Sequence, residues 1–324
     1  MKLYLIRHGE TVDNVAGLYA GVRDSTLTNH GFEQARRLGE YFAKNEVHLT
    51  RIFASPLTRA FKTAEAVLKA QPKSADATDG KSLDIVKVPD LIEQDFGYYE
   101  GKPFYARSDP KRTGRETDHE KHKNDPGFVD VESKESMAKR ADTFLDRHIM
   151  PLFHEKEASG SVVVVVSHGI LLSNLWRRLL LRLPRKSLTI VPEITAARGT
   201  LVLEHLGGWS NTGYLELSMS KDRAAAQAVS TAASTPPAVS EKVATLPTPV
   251  PPPVADGNAA GPPETAERAK AGTKVLQGWF TTILAIDSKQ HLVGLKRQRG
   301  GIGRLAHDEG QKKLDSFFKR QKTS

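Results

Sequence analysis

The feature that most constrains the fold is a run of five valines, Val162–Val166, which ends in Ser-His-Gly. An unbroken run of β-branched residues is typical of a strand buried on both faces, and such strands occur mainly in parallel sheets covered by helices. Two other short apolar runs, Leu3–Ile6 and Arg51–Ser55, each precede a stretch with helical spacing. This alternation predicts an α/β domain with a mainly parallel central sheet.

The remaining elements are predicted from the period of their apolar residues. One helix is predicted to begin at Thr28, because Thr is a good helix N-cap. The other predicted helices are Leu57–Ala70, Ser136–Phe153 and Ile170–Leu183, and the other predicted strands are Ile85–Val88, Asn211–Leu217 and Phe280–Asp287.

Residues 220–273 differ in composition from the rest of the chain. They are rich in Pro, Ala, Ser and Thr and contain no aromatic residue, so they are predicted to be disordered. The apolar strand that follows is too short to fold alone, and pairing with Asn211–Leu217 would bury it. The sequence therefore predicts a folded domain at 1–219, an insertion at 220–273, a returning strand segment at 274–295 that completes the domain, and a basic tail at 296–324.

Charge and cysteine content narrow the class of protein. The chain has 47 Lys and Arg against 38 Asp and Glu, and most of the excess lies in residues 289–324. Such a terminus is typical of a nucleic-acid contact, a nuclear-import signal, a site for an acidic partner, or a solvated tail. The absence of cysteine excludes disulfides and favours an intracellular protein. No apolar run is long enough for a signal peptide or a membrane span, so we expect no membrane partner.

Three polar motifs directly follow predicted strands, and a fourth lies between the second and third of them in the chain. Because open α/β sheets bind ligands at the carboxyl ends of their strands, we expect these motifs to meet at one edge. In chain order they are Arg7-His8-Gly9-Glu10-Thr11, Ser55-Pro56-Leu57-Thr58-Arg59-Ala60, Glu93-Gln94-Asp95-Phe96-Gly97 and Ser167-His168-Gly169.

These residue types together suit phosphoryl transfer. Guanidinium groups bind phosphate oxygens through directional, charge-assisted hydrogen bonds. A neutral imidazole is a competent nucleophile near pH 7, and a second imidazole stabilises the transition-state charge. A carboxyl group can protonate the leaving alkoxide and later activate water. With this much fixed positive charge the chemistry requires no metal.

In this order the motifs resemble those of the histidine phosphatase superfamily, the phosphoglycerate-mutase-like proteins. The resemblance covers residues 1 to about 217 and resumes at about 275. It implies a three-layer phosphoglycerate-mutase-like α/β fold. The site residues that it implies are His8 as the phosphorylated nucleophile, Glu93 as the proton donor, and Arg7, Asn14, Arg59 and His168 as phosphate ligands.

The predicted function is that of a phosphatase that hydrolyses a phosphate monoester without metal or cofactor. The segment Ala20–Thr28 is similar to the broad phosphatase branch, which favours this function. Two alternatives stay open. One is a phosphoglycerate-type phosphomutase, which uses the same phosphohistidine, and the other is a binding protein whose tail carries the function. The basic loop Ala106–Gly127 is either a lid over a polyanionic substrate or a solvated loop.

The end of the chain carries a second recognisable pattern. Residues 311–318 read Gln-x-x-Leu-x-x-Phe-Phe and resemble a PIP box, the peptide that docks on the sliding clamp PCNA. The resemblance implies that Gln311, Leu314, Phe317 and Phe318 bind this partner. We therefore expect the protein in both nucleus and cytoplasm, with nucleic acid as a weaker candidate partner of the basic tail.

Overall fold

The computed structural model describes residues 1–72, 83–104, 122–155, 158–184, 186–222, 275–299, 301–308 and 310. Within these ranges the strands are β1 (Lys2–Arg7), β2 (Arg51–Ala54), β3 (Ile85–Lys87), β4 (Val162–Ser167), β5 (Leu188–Ile190), β6 (Tyr214–Ser220) and β7 (Phe280–Ser288). They form one sheet in the order β3-β2-β4-β1-β6-β7-β5. Among these strands β6 runs antiparallel to both neighbours, and the other pairs are parallel. The predicted mainly parallel sheet is confirmed.

Helices cover both faces of this sheet. They are α1 (Val12–Ala16), α2 (Asn29–Lys44), α3 (Thr58–Lys69), α4 (Lys134–Phe144), α5 (Gly169–Leu180) and α6 (Pro192–Arg198). Helices α2 and α3 pack on one face, and α4 and α5 pack on the other. The valine run serves both layers, because Val163 and Val165 enter the α4–α5 core while Val164 and Val166 enter the α2–α3 core. The three-layer α/β fold predicted from the sequence is therefore present.

Some elements differ from the sequence-based expectation. The helix predicted for Ser136–Phe153 is α-helical only to Phe144 and continues as a π turn, Leu145–Ile149, and a 3-10 turn, Met150–His154. Pro151 contributes to this break, because it has no N–H for an α-helical bond. The short elements α1, β5 and α6 were not predicted, since a single turn or three residues carry too little periodicity. Further 3-10 turns are Pro89–Leu91, Gly97–Tyr99, Ala158–Gly160, Gln290–Leu292 and Ile302–Arg304.

Strand β7 lies inside the sheet, although most of the predicted insertion separates it from β6 in sequence. It pairs antiparallel with β6, where Ser220 faces Phe280, and parallel with β5 on its other side. Trp279 just before β7 is buried, and its ring lies 4.8 Å from that of Phe153. We propose that the residues before and after the insertion form one folding unit. Residues 223–274 and 311–324, which hold most of the insertion and the PIP-box-like pattern, lie outside the described residues.

The first part of the predicted basic tail packs against the start of α2. The backbone N–H of Asn29 donates to the carbonyl of Leu305 at 2.9 Å, and that of His307 donates to Leu27 at 2.8 Å. These contacts place the segment at the start of α2. Among the described residues no helix is long and apolar enough to cross a membrane.

The position of β7 predicts the effects of two deletions. Replacing residues 223–274 by a short Gly/Ser loop should leave the melting temperature nearly unchanged, because Ser220 and Phe280 face each other and closure entropy grows slowly with loop length. A chain that ends at Asp222 should melt roughly 10 °C lower or more, because it lacks an interior strand. Thermal melts followed by circular dichroism test both. A chain ending at Asp222 that melts like the full-length protein would contradict the proposed folding unit.

Candidate active site

The four motifs meet at the carboxyl end of the parallel strands. His8 follows β1 and His168 follows β4, and their ring centroids lie 5.1 Å apart. Arg59, in the first turn of α3, reaches across to His168, and its Nε lies 3.1 Å from His168 Nδ1. The sheet topology thus brings together residues that are 160 positions apart in the chain.

His8 is held as a neutral imidazole with a defined tautomer. Its side chain is 4% exposed, and Nδ1 lies 2.7 Å from the carbonyl oxygen of Gly9. A carbonyl only accepts, so Nδ1 carries the proton and Nε2 bears the lone pair. Burial, followed by the nearby Arg59 and Arg7 cations, holds the pKa of His8 well below its usual value. Nε2 makes no hydrogen bond to a described residue, so its lone pair is free to react with an electrophile.

Arg59 is buried, and its guanidinium is largely occupied by protein acceptors. It is 1% exposed and donates to the carbonyl oxygens of Ala20, Gly21 and Arg23 at 3.0, 2.7 and 2.9 Å. With the bond to His168, these contacts take up most of its five N–H groups. The guanidinium is therefore fixed in place, with little donor capacity left over.

His168 is fully buried and oriented from both sides. Its Nδ1 accepts from Arg59, so the proton lies on Nε2, which lies 2.9 Å from Ser55 Oγ. Burial and the charges of Arg59, His8 and Arg7 hold the pKa of His168 well below its usual value. His168 is thus a neutral donor rather than a cation.

Glu100 holds the loop whose carbonyls bind Arg59. Its carboxylate accepts from the backbone N–H groups of Gly21, Val22 and Arg23 at 3.1 to 3.3 Å, and from that of Phe96 at 2.9 Å. The sequence analysis assigned no role to Glu100. Glu100 lies three residues beyond the third motif, and local spacing does not show which backbone groups its side chain would meet.

A loop before β6 fixes the backbone and side chain of the first motif. The Arg7 Nη1 donates to the carbonyl of Trp209 at 2.6 Å. The N–H of Thr212 lies 3.1 Å from the carbonyl of Arg7 and 3.2 Å from that of His8. Sequence reasoning missed both loop residues, because no motif marks them.

Asp287, near the end of β7, holds this loop. Its carboxylate accepts from the N–H of Ser210 at 2.8 Å and from the Ser210 hydroxyl at 2.7 Å. The approach is close, because a Cβ added at Gly213 would lie 2.1 Å from Asp287 Oδ1. Residues from beyond the insertion therefore contribute to the geometry of the site.

Glu93 is bound at the N-terminus of α5. The residue is 7% exposed. Its Oε1 accepts from the backbone N–H groups of Gln94 and Leu171, at 3.0 and 2.9 Å. Its Oε2 accepts from the backbone N–H of Ile170 at 3.1 Å. These are helix-terminal donors that lack intrahelical partners. Oε2 keeps a free lone pair, which is where a transferable proton would bind.

Asn14 is oriented by its carbonyl oxygen. Oδ1 accepts from the Thr11 N–H at 3.2 Å and from Asn211 Nδ2 at 3.1 Å. Its own Nδ2 makes no hydrogen bond within the described part of the chain, so it is available to an anion.

The site as a whole brings together the cations Arg7 and Arg59, two neutral imidazoles and the carboxyl group of Glu93. Among the described residues, no group of three or more His, Asp or Glu is arranged to hold a metal ion. Most of the basic loop predicted at 106–127 lies outside the described residues, as does the pattern at 311–318.

Comparison with known proteins identifies the family. Residues 3–209 match the sequence profile of the histidine phosphatase superfamily, branch 1. The chain belongs to this superfamily.

Individual members of the superfamily differ in how much of the chain they match. A probable phosphatase of Schizosaccharomyces pombe is 32% identical over 206 residues, 63% of this chain and 65% of that protein. Phosphoserine phosphatase 1 of Hydrogenobacter thermophilus is 29% identical over 173 residues, 52% of this chain and 72% of that protein. The solved mycobacterial glucosyl-3-phosphoglycerate phosphatase is 24% identical with a TM-score of 0.47, covering 68% of this chain and 91% of its own. The chain thus spans less than two thirds of the fission yeast relative.

The role of Glu100 in this superfamily member is testable by substitution. Glu100→Gln should lower the free energy of unfolding by about 2 kcal/mol, because hydrogen bonds to a charged acceptor are lost. Amide exchange at Gly21, Val22 and Arg23 should speed up by a larger factor than exchange in β4, because β4 reports only the loss of global stability. Glu204→Gln, an exposed glutamate, is the matched control and should change neither. Hydrogen exchange by NMR measures both effects, and unchanged exchange in residues 21–23 would contradict the assignment.

Proposed function

We propose that the chain is a metal-independent phosphatase that hydrolyses phosphate monoesters through a phosphohistidine at His8. The observation that supports this most directly is the tautomer of His8. Its Nδ1 proton is bound to the Gly9 carbonyl, which leaves the Nε2 lone pair free in a buried, cationic site. A neutral imidazole so placed can attack phosphorus without first losing a proton.

In the proposed first step, His8 Nε2 attacks phosphorus and the bond to the leaving oxygen breaks. Arg7 and Arg59 balance the charge of the transferred group, and Asn14 donates a hydrogen bond to it from Nδ2. Glu93, carrying a proton on Oε2, gives it to the leaving alkoxide. His168 Nε2–H donates to a phosphoryl oxygen, which requires it to exchange its contact with Ser55 for the substrate.

In the second step, water attacks the phosphohistidine. Glu93, now ionised, accepts a proton from that water, and the bond between phosphorus and Nε2 breaks. Inorganic phosphate leaves and His8 returns to its neutral form. The same residues can also return the phosphoryl group to a sugar acid, so a phosphomutase is the alternative. Relatives named as phosphatases in fission yeast and Hydrogenobacter thermophilus support hydrolysis instead.

Two substitutions test the chemistry. His8→Ala should lower kcat roughly 10⁴-fold or more, since no other residue can form the intermediate. Glu93→Gln should slow alkyl phosphates more than p-nitrophenyl phosphate, because nitrophenolate needs little protonation to leave. Steady-state hydrolysis with and without a chelator measures both effects, and the chelator should change nothing. His48→Ala, at an exposed histidine, is the control. Wild-type turnover in His8→Ala would disprove the mechanism.

We also propose that residues 311–318 dock on the sliding clamp PCNA, which would place part of the protein in the nucleus. The support is the sequence pattern itself. Leu314 and Phe317 are three residues apart in the sequence, a spacing that would put both on one side of a helical turn if the partner induces one, and Phe318 is the next residue. Gln311 offers an amide donor and a carbonyl acceptor to a polar pocket. Because the nearby residues are basic, nucleic acid is a second candidate partner, weaker than the clamp.

A peptide tests the docking proposal. Residues 310–322 should bind the purified clamp, and Phe317→Ala with Phe318→Ala should abolish binding, because two aromatics supply most of the buried apolar area. A peptide with Asp315→Ala and Ser316→Ala, at positions that the pattern leaves free, should bind like the original. Calorimetry at high micromolar peptide measures this, and no heat of binding would refute the proposal.

A further inference from the structure

A segment from beyond the insertion covers the first turn of α2. Residues 296–299 and 301–308 are here called the C-terminal segment. Asn29 Nδ2 donates to the carbonyl of Ile302 at 3.0 Å, and the His307 ring stacks on Phe32 with a centroid distance of 3.8 Å. Together with the backbone bonds at Leu27 and Asn29, these contacts fix the C-terminal segment on the domain.

Arg297 extends from this segment to the first motif. Its Nη1 lies 2.6 Å from Glu10 Oε1, and its Nη2 contacts Glu10 Oε2. Glu10 is 9% exposed and also accepts from the Thr28 hydroxyl at 2.8 Å. The pair is therefore bidentate, a geometry in which Arg is strongly directional. The Glu10 carboxylate is buried, whereas the Arg297 side chain is 35% exposed.

The backbone at Glu10 is coupled to the orientation of His8. The carbonyl of Gly9, the residue between them, is the acceptor for His8 Nδ1. Residues 9 and 10 lie directly against the first turn of α2: a Cβ added at Gly31 would be 2.0 Å from the Glu10 carbonyl, and one at Gly9 would be 2.5 Å from that of Gly31. With no free space there, a displaced Glu10 carries the Gly9 carbonyl with it.

We propose that Arg297 is a positioning residue for His8. Its bidentate pair with Glu10 holds the Gly9 carbonyl where it binds the Nδ1 proton, so Nε2 points at the substrate. This inference rests on the proposed phosphatase function. It means that catalysis depends on a side chain that follows both the insertion and the last strand, in a stretch whose sequence resembles a basic tail.

The test uses full-length protein with Arg297→Gln, Arg297→Lys and the double variant Glu10→Gln, Arg297→Gln. Lys296→Gln is the matched control, because Lys296 is an exposed neighbour and the charge change is the same. Three quantities are measured: kcat and KM for p-nitrophenyl phosphate, the melting temperature, and the pKa of His30 by NMR. The last reports docking independently of turnover, because burial and the Arg297 cation lower the pKa of His30.

We expect Arg297→Gln to lower kcat by roughly 10- to 100-fold with KM changed by less than about threefold, since misplacement of a reacting group acts on the chemical step. The pKa of His30 should rise. Arg297→Lys keeps the charge but loses the fork, so its kcat should fall between those of wild type and Arg297→Gln. The double variant removes the unpaired buried carboxylate and should regain melting temperature without regaining kcat. Lys296→Gln should match wild type.

The outcomes separate this proposal from the function on which it rests. Wild-type kcat in Arg297→Gln overturns the positioning role alone, and so does a double variant that recovers kcat together with melting temperature. An unchanged pKa of His30 in Arg297→Gln also overturns it, because the segment would then not be docked. A wild-type protein that hydrolyses no phosphate ester refutes the phosphatase function itself, and the positioning role fails with it.

Discussion

The structure depends on keeping one neutral histidine buried between two cations. His8 lies near Arg7, Arg59 and a second imidazole, and burial together with the cations disfavours its charged form. Burying guanidinium groups is costly unless their donors are satisfied. Around Arg59 this cost is offset by hydrogen bonds to three backbone carbonyl oxygens rather than to carboxylates. Positive charge is thereby retained for an anionic substrate instead of being neutralised within the protein.

Carboxylates appear one step further out, where they organise the loops that supply those acceptors. Glu100 binds the loop at 21–23, Asp287 binds the turn at Ser210, and Glu10 binds Arg297. Each is an acceptor for backbone N–H groups or for one directional cation, so each fixes geometry more than it adds charge to the pocket. Glu93 differs, because it lies beside the other site residues and binds the N-terminus of α5, where the proposed mechanism uses it for proton transfer.

Two of these supports come from the chain beyond the insertion. Strand β7 carries Asp287, and the C-terminal segment carries Arg297. Because the pairing of β6 with β7 brings the two ends of the insertion together, a long excursion between them does not disturb the sheet. The site is thus completed only after nearly the whole chain has been assembled, which links its geometry to contacts between residues more than 200 positions apart.

The sequence by itself determined the layered α/β architecture. It also identified the candidate site residues His8, Arg7, Arg59, Glu93 and His168. Strands and helices have short periods that local patterns reveal, and the motifs are short runs that follow strands. Tertiary structure alone decided that Glu100 orders the loop around Arg59, that Asp287 holds the turn beside Arg7, and that Arg297 in a basic stretch pairs with Glu10. These roles arise from contacts 77 to 287 residues apart, and a hydrogen bond across such a distance leaves no period or spacing in the sequence.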